Sequence, residues 1–294
     1  MSHRLLLDVS SMMYRAYFAL RDGIYTQDGR PIGALHGYLD MVARLVETRG
    51  PDEVVHAYDH DWRPVARTDL YADYKGQRNP DPEDLPPQFV LLREVLDLTG
   101  MLQAETKGWE AEDAIGAFCL DAGADDRLEI VSGDRDLIQL VRDPVVRLLF
   151  TVRGVSELLE FDEAGVLDKY GVPAARYAEF AILRGDPSDG LPGVRGVGEK
   201  TARALVQAYP SIDAMLEAVD DQKAAFKPGV RAALRAARPY LATMQLLVPV
   251  NAIAPLSLWA GDRDDEALHE RATRLGITGP VRRLGAALDA QGTT

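Results

Sequence analysis

The chain has 294 residues, 47% hydrophobic and 27% charged, with a formal net charge of −13. This is the balance of a globular protein; no run approaches the roughly 20 apolar residues of a membrane span, and no basic and apolar leader opens the chain. The acidic excess argues against a general nucleic-acid coat, and a single cysteine, Cys119, rules out an internal disulfide.

A reducing cytoplasm fits these features, and Cys119, within Ala117-Phe118-Cys119-Leu120, reads as a core thiol. In chain order, His3–Val9 predicts a buried strand running into the lone acid Asp8, and Ser10 is placed to cap a helix reaching Leu20. Turns follow at Asp22-Gly23 and Asp28-Gly29. Gly33–Arg49 carries Leu35, Leu39, Val42 and Val46 on one helical face and stops at Gly50-Pro51. Glu53–Asp59 predicts a second strand, again ending in a lone acid, Asp59. Residues Asp61 to Asp84 are polar, mixed in charge and weakly periodic, closed by Pro80, Pro82, Pro86 and Pro87; so long a segment between regular elements marks function or disorder.

Further on, Gln88–Leu98 predicts a helix, Met101–Glu105 a strand, Ala111–Asp121 a helix opened by acids, and Leu128–Ser132 and Val145–Phe150 two more strands. From about residue 160 the pattern is helical: Glu163–Tyr170, Ala174–Leu183, Gly198–Tyr209, Ile212–Ala218 and Val230–Ala237. Beyond Pro249 the pattern is too loose to assign. Strands alternating with helices predict an α/β fold with a mostly parallel central sheet flanked by helices, followed by a C-terminal helical region.

Carboxylates gather at this sheet. In an open α/β sheet, sites form at the carboxyl ends of the strands. Asp8, Asp59 and the pair Asp134/Asp136 belong to that rim, and Glu110, Glu112 and Asp113 open the Ala111–Asp121 helix. Each acid alone reads as a cap or turn residue; seven from four separated segments on one edge do not. Two unit charges about 4 Å apart cost roughly 4 kcal/mol at an effective dielectric of about 20, so such a crowd calls for cations. Hard oxygen ligands favour Mg²⁺ or Mn²⁺, and two or more such ions suit phosphoryl chemistry without a Ser/His pair. The five histidines show no zinc-like spacing; His36 and His56 fall on apolar elements as core residues.

Two features speak to substrate. Gly185-Asp186-Pro187-Ser188-Asp189 leads into Leu191-Pro192-Gly193-Val194-Arg195-Gly196-Val197-Gly198-Glu199-Lys200-Thr201, a Gly-rich hairpin entering a helix, where backbone N–H groups can hold phosphate. From Lys223 to Arg238 there are basic residues and no acid, and Arg231, Arg235 and Arg238 at i, i+4, i+7 predict either a solvated helix face or a phosphate-contacting stripe.

With these motifs in place, the chain resembles the bacterial 5′–3′ exonuclease and flap endonuclease family, related to the N-terminal nuclease domain of DNA polymerase I. The stretches that carry the likeness are Leu7-Asp8-Val9-Ser10-Ser11, Ala57-Tyr58-Asp59, Asp73-Tyr74-Lys75-Gly76-Gln77-Arg78, Gly108 to Asp113, Ser132 to Leu137, and Gly185 to Thr201, in family order over about residues 4–240. The resemblance implies a PIN-like core over residues 1–170, with a mobile arch at about 61–84. It implies a helical DNA-binding region over 171–294, with a helix-hairpin-helix at about 183–209, often holding K⁺.

It implies metal-dependent cleavage of branched, flap or 5′-ended duplex DNA, including RNA–DNA primers, leaving 5′-phosphate and 3′-hydroxyl ends in replication and repair. The metal set it implies is Asp8, Asp59, Glu110, Glu112, Asp113, Asp134 and Asp136, with Asp186 and Asp189 completing a second-ion site. Lys75 and Arg78 would meet the scissile phosphate. Arg67, Tyr74, Gly193, Gly196, Gly198, Lys200, Thr201, Arg231, Arg235 and Arg238 would contact DNA. A stand-alone monomer without a polymerase region, near the nucleoid and off the membrane, is the expected form.

Two positions depart from the family pattern. Glu112 stands where Asp is usual, and Gly190 follows Ser188-Asp189 where the family has Asn. Glutamate is one methylene longer, which bears on metal spacing; glycine tolerates the turn. The competing readings are a PIN-like ribonuclease, against which the hairpin and Lys75 argue, and a non-catalytic binder of branched DNA.

Overall fold

Leu5, Leu6 and Leu7 are all fully buried, which requires a central strand covered on both faces. That strand is β1 (His3–Asp8). The computed structural model describes residues 2–20 and 23–292, so the expected turn residue Asp22 lies outside the described residues. After β1 come α1 (Val9–Leu20), α2 (Gly33–Arg49), β2 (Glu53–Tyr58), α3 (Val65–Leu70), α4 (Pro86–Thr99), β3 (Leu102–Thr106), α5 (Ala111–Asp121), β4 (Arg127–Ser132), β5 (Val146–Arg153) and β6 (Glu157–Phe161). A helical run follows: α6 (Glu163–Tyr170), α7 (Tyr177–Arg184), α8 (Glu199–Ala208), α9 (Ile212–Asp220), α10 (Pro228–Ala236) and α11 (Arg238–Leu247). The chain then forms β7 (Leu256–Trp259), α12 (Asp265–Leu275) and α13 (Thr278–Gln291).

The sheet order is β6-β5-β4-β1-β2-β3-β7. The five inner strands are parallel and both edges are antiparallel, as the α/β pattern predicts for the centre. Side-chain alternation divides β1 between two cores. Leu6 packs with Ile115 of α5 and the α7 side, while Leu5 and Leu7 pack with Met12, Leu35, Leu96 and Leu284 on the other face. Truncating a leucine buried this fully costs about 2–5 kcal/mol. The order reverses beside β1, with β2 and β3 on one side and β4 and β5 on the other. The junction of β1 and β4 is thus the switch point where an open α/β sheet leaves a crevice.

The far end of the sheet is closed by charge. Glu129 is fully buried and accepts hydrogen bonds from Arg49 (3.0 Å at Nε), Arg127 (2.6 Å) and His3 (3.1 Å). Hydrogen bonds from His3, Arg49 and Arg127 hold its carboxyl well below the usual range despite its burial. Helix α2 has no cap from its own sequence; Gln88 Oε1 of α4 accepts from Ala34 N (2.9 Å) and Leu35 N (3.2 Å) instead.

Several expectations change. Within the 61–84 segment, expected as a mobile arch, α3 forms and part of the segment packs onto the acidic rim, with Arg67, Tyr74 and Lys75 buried and residues 76–81 exposed. Residues 174–183 form a 3₁₀ turn at Ala174–Arg176 before α7, not one helix. Helix α10 ends at Ala236, so Arg238 starts the next helix instead of continuing the face of Arg231 and Arg235. Residues 256–291, expected within a helical region, return to the sheet: β7 pairs with β3, α12 lies on α4 and α13 on α2. The exposed edge of β3 and the apolar outer face of α2 both need this cover. Arg93 of α4 secures β7, its guanidinium 4.0 Å from the Tyr58 ring centroid and 5.1 Å from that of Trp259.

Candidate active site

The acids at the strand ends are held by neighbouring hydroxyls and amides. Asp8 closes β1; its Oδ2 accepts from Ser132 Oγ (2.6 Å) and its Oδ1 from Ser11 N (3.0 Å). Burial, then the nearby Asp59 charge, pushes the Asp8 carboxyl up to about 7. Asp59 follows β2 and accepts from Ser10 Oγ (2.5 Å) and Ala111 N (2.7 Å); burial and Glu110 raise its pKa. Ser10 was expected as a helix cap, but α1 already begins at Val9 and the hydroxyl serves Asp59. Ser132 Oγ also accepts from Asp134 N (2.9 Å), and Asp134 Oδ1 accepts from Asp136 N (2.9 Å), which folds the Gly133–Asp136 turn onto the rim. Burial and the Asp134 charge hold the Asp136 carboxyl well above its ordinary value.

Helix α5 brings the next acids through a capping box. Glu110 is the N-cap, and its N–H donates to Asp113 Oδ2 (3.1 Å). Acids at this end also meet the positive pole of the helix. Carboxylate oxygens of Glu110, Glu112 and Asp113 lie within 4.8 Å of one another, the only such acidic or histidine group among the described residues. Asp113 is fully buried; its Oδ1 accepts from Arg67 Nη2 (2.9 Å) and Asn251 N (2.7 Å), so both its oxygens are engaged within the protein. Asp113 thus fastens α5 while remaining one of the three carboxylates grouped closely enough to hold a cation, directly or through water.

The 61–84 segment supplies the countercharge. Arg67, expected on DNA, is only 2% exposed and reaches Glu110, Glu112 (2.7 Å) and Asp113 together. Its guanidinium lies 5.6 Å from the Trp109 ring centroid. Tyr74, also expected on DNA, is buried and donates to Glu110 Oε2 (2.7 Å). Lys75 donates to the other oxygen of Glu110, and Arg78 to Asp189 (2.9 Å). Burial opposes ionisation of Glu110, yet Lys75 and Arg67 outweigh it and keep this carboxyl below its usual value. Glu112 is lifted well above its usual value, because burial, together with the Glu110 and Asp113 charges, outweighs Arg67.

The last acids arrive on the turn after α7. Asp186 caps the short 3₁₀ helix Pro187–Asp189 and accepts from Ser188 N (2.9 Å), with Arg184 at 3.5 Å. Its N–H and C=O also bridge to Leu191 (2.9 and 2.8 Å), tying the acids to the Gly-rich hairpin. A groove of about 1990 Å³ opens over this assembly. Asp8, Asp59, Glu110, Glu112, Asp134 and Asp186 line it together with Lys75 and Arg78. It continues past Tyr14 and Arg15 of α1 to Arg44 of α2 and Ala286 of α13.

The expected DNA contacts divide. Gly196 and Gly198 are exposed, and a Cβ at either would meet no atom within 4 Å. Lys200 is exposed as well, while Thr201 donates its N–H to Gly198 O. Gly193 is different: a Cβ there would meet Gly185 N at 2.5 Å, and its N–H donates to Tyr240 Oη (3.1 Å), so this glycine serves helix packing. The arginines of the stripe reach back to α9, with Arg235 still exposed. Arg231 donates to Val219 O (2.5 Å) and Asp221 O (2.7 Å), Arg235 to Val219 O (3.0 Å) and Arg238 to Leu216 O (2.8 Å). The three close the C-terminus of α9, where backbone carbonyls lack partners. His56 is a core residue as expected, bonded to Tyr38 Oη (2.6 Å) with its pKa lowered by burial to about 3. Cys119 is buried too, its thiol pushed up to about 12.

Two family models match in succession: 5′-3′ exonuclease, N-terminal resolvase-like domain, over residues 3–171, and 5′-3′ exonuclease, C-terminal SAM fold, over 172–266. The chain belongs to the 5′-3′ exonuclease family. This exonuclease is 43% identical over 303 residues to a 5′-3′ exonuclease of Streptomyces coelicolor, covering 97% of the chain and 100% of the relative. It is 40% identical to one of Mycobacterium tuberculosis, covering 97% of each. Its fold is similar to bacteriophage T5 flap endonuclease in a complex with DNA and metal ions, with a TM-score of 0.64 at 15% identity over 99% of both chains. No helix among the described residues is long and apolar enough to cross a membrane.

The serine hydroxyls, the countercharge from Arg67 and the Asp113 fastening were not assigned from sequence. Ser10, Ser11 and Ser132 do stand beside motif acids, which is the signal that was available.

Proposed function

We propose that the chain is a structure-specific 5′ nuclease that hydrolyses DNA phosphodiesters near 5′ ends and flaps, leaving 5′-phosphate and 3′-hydroxyl ends in replication and repair. The observation that carries this reading is the convergence of acids from β1, β2, β4, α5 and the Asp186 turn on one groove that also receives Lys75 and Arg78. The full-length likeness to stand-alone exonucleases supports it.

The donor set fits divalent cations: it is all carboxylate, and burial, then the charge of neighbouring carboxylates, raises Asp8, Asp59 and Asp136, while burial raises Glu112 in spite of Arg67. Asp8, Asp59, Glu110, Glu112 and Asp134 would hold them, with Asp113, Asp136, Asp186 and Asp189 completing the set directly or through water; Mg²⁺ or Mn²⁺, two or more, is the assignment. When bound, such ions lower the pKa of the attacking water and stabilise charge at the phosphate. Ser10, Ser11 and Ser132 keep Asp59, the Gly133 turn and Asp8 oriented. Lys75 exchanges its Glu110 partner for the scissile phosphate and, with Arg78, stabilises charge developing there. Asp113 and Arg67 keep α5 and its acids in register. The hairpin, with Gly196, Gly198 and Lys200 exposed and Thr201 half-buried, takes duplex phosphates, with K⁺ as its ion. The working form is a monomer acting on the chromosome in the cytoplasm, with RNA–DNA primers among its substrates.

A panel of labelled 5′-flap, nicked, gapped and RNA-primed duplexes, with single-stranded RNA of equal length, tests this in Mg²⁺ and in Mn²⁺. Cuts at the base of the 5′ flap are expected. Preferential cleavage of the RNA would establish the ribonuclease reading, and no cleavage of any substrate the binding-protein reading.

A further inference from the structure

We propose that Gly190 and Gln77 form a latch that holds the 73–78 segment over the acidic rim, which makes Gly190 a positioning residue for Lys75. The proposal rests on Lys75 acting at the scissile phosphate. Gly190 ends the Pro187–Asp189 turn with φ at +73°, a conformation glycine adopts without strain. Conformation is not the main requirement, since asparagine also tolerates it. Space is. A Cβ at Gly190 would stand 2.7 Å from Asp73 O and 2.7 Å from Gln77 Oε1. The first of these is backbone and cannot rotate away.

The close approach allows a set of bonds between the two segments. Lys75 N–H donates to Asp189 O (3.0 Å). Gln77 Nε2 donates to Pro187 O (2.7 Å) and Ser188 O (3.2 Å), and Arg78 Nε to Ser188 O (3.2 Å). Lys75 itself has φ at +52°, the one positive value among the described non-glycine residues. A lysine there is strained unless its surroundings hold it, and strain of this kind costs of order 1–3 kcal/mol. Arg63 secures the same segment from behind, donating to Tyr74 O (2.6 Å). Any side chain at this position would have to push the segment outward. This chain therefore carries its phosphate-directed lysine on a closed support, fixed to the turn that bears Asp186 and Asp189.

The test uses the full-length protein and the variants Gly190→Ala, Gly190→Asn and Gln77→Ala. Amide hydrogen exchange at Lys75 reads the latch in metal-free protein, and single-turnover cleavage of a 5′-flap duplex reads its effect. Both Gly190 variants should exchange faster at Lys75 by about tenfold or more, and Gln77→Ala, which adds no clash, by about threefold, corresponding to local opening made easier. kcat should fall by about tenfold in the Gly190 variants with KM nearly unchanged. The melting temperature and exchange in β1 and β4 should hold. Unchanged exchange at Lys75 in all three variants overturns the latch, and faster exchange with undiminished kcat overturns its link to Lys75. Failure of the wild-type chain to cut flap DNA would strike the functional reading instead, and leaves the exchange result to be read by itself.

Discussion

Lys75 and Glu110, 35 positions apart, form a buried ion pair at the centre of the acidic rim. The lysine stem is held in a left-handed backbone conformation, and its ammonium sits among carboxylates that would otherwise repel one another. This pairing offsets part of the repulsion among the acids, and it sets the first prediction. Lys75→Ala should lower single-turnover cleavage about 10²–10³-fold while flap-DNA affinity falls only a few-fold, because its charge acts at the transition state. Equal losses in rate and binding would show that Lys75 merely holds substrate.

Asp134 lines the groove and orders the turn by accepting from Asp136 N. Asp134→Asn keeps an acceptor at that place but removes a charge from the ligand set. Cleavage should drop at least about 10³-fold with DNA binding retained, measured by electrophoretic shift in Ca²⁺ or EDTA. Residual activity near wild type would remove Asp134 from the metal site.

The raised carboxyls give a pH signature. Burial puts Asp8 at about 7 and lifts Asp59, Asp136 and Glu112 as well. Between the ordinary carboxyl value near about 4 and about 7, the folded protein binds protons that the unfolded chain has lost, so metal-free stability falls as pH rises through that window. The melting temperature in EDTA should therefore decline from pH 5 to pH 7.5. Added Mn²⁺ should raise it more at pH 7.5 than at pH 5.5, since protonated carboxyls do not bind cations. A metal increment independent of pH would contradict the buried-acid account.

Glu129 behaves in the opposite sense. Its carboxyl is held far down by His3, Arg49 and Arg127, so its stabilisation is complete above the ordinary value and is lost as the pH falls below it. Glu129→Gln removes the charge that Arg49 and Arg127 pair with at the closed end of the sheet. It should cost about 3–5 kcal/mol in urea unfolding, with cleavage at permissive temperature intact. A loss of activity without a loss of stability would mean that this end of the sheet serves the site directly.

Arg231 and Lys200 separate structural from nucleic-acid roles. Arg231→Ala should cost about 1–2 kcal/mol of stability by freeing carbonyls at the end of α9, with no change in the salt dependence of DNA binding. Lys200→Ala should reduce the slope of log affinity against log salt by about 1 and leave stability alone. The reverse pattern would restore the arginine stripe as the phosphate contact.

Much of the sheet was legible because buried parallel strands are written as unbroken apolar runs: Leu5-Leu6-Leu7 needs no context to be read as a core strand. The acids after those runs were legible for the same reason, since strand ends place side chains on one rim. What escaped was short or non-local. β7 has four residues and depends on the free edge of β3, and Arg67 carries no sign in sequence that its charge turns inward to Glu110, Glu112 and Asp113. The spacing of Arg231, Arg235 and Arg238 suggested a face, but the break at Ala237 and the open carbonyls of α9 decided their direction.

The final strand and helices close over elements made long before them. During synthesis, β3 and α2 leave the ribosome with bare flanks and wait while nearly the whole helical half is translated, until β7 and α13 can dock. Sealing of the sheet is thereby postponed until residues 256–291 have been made. A ribosome that stalls before them would release a sheet with an open edge and an uncovered α2.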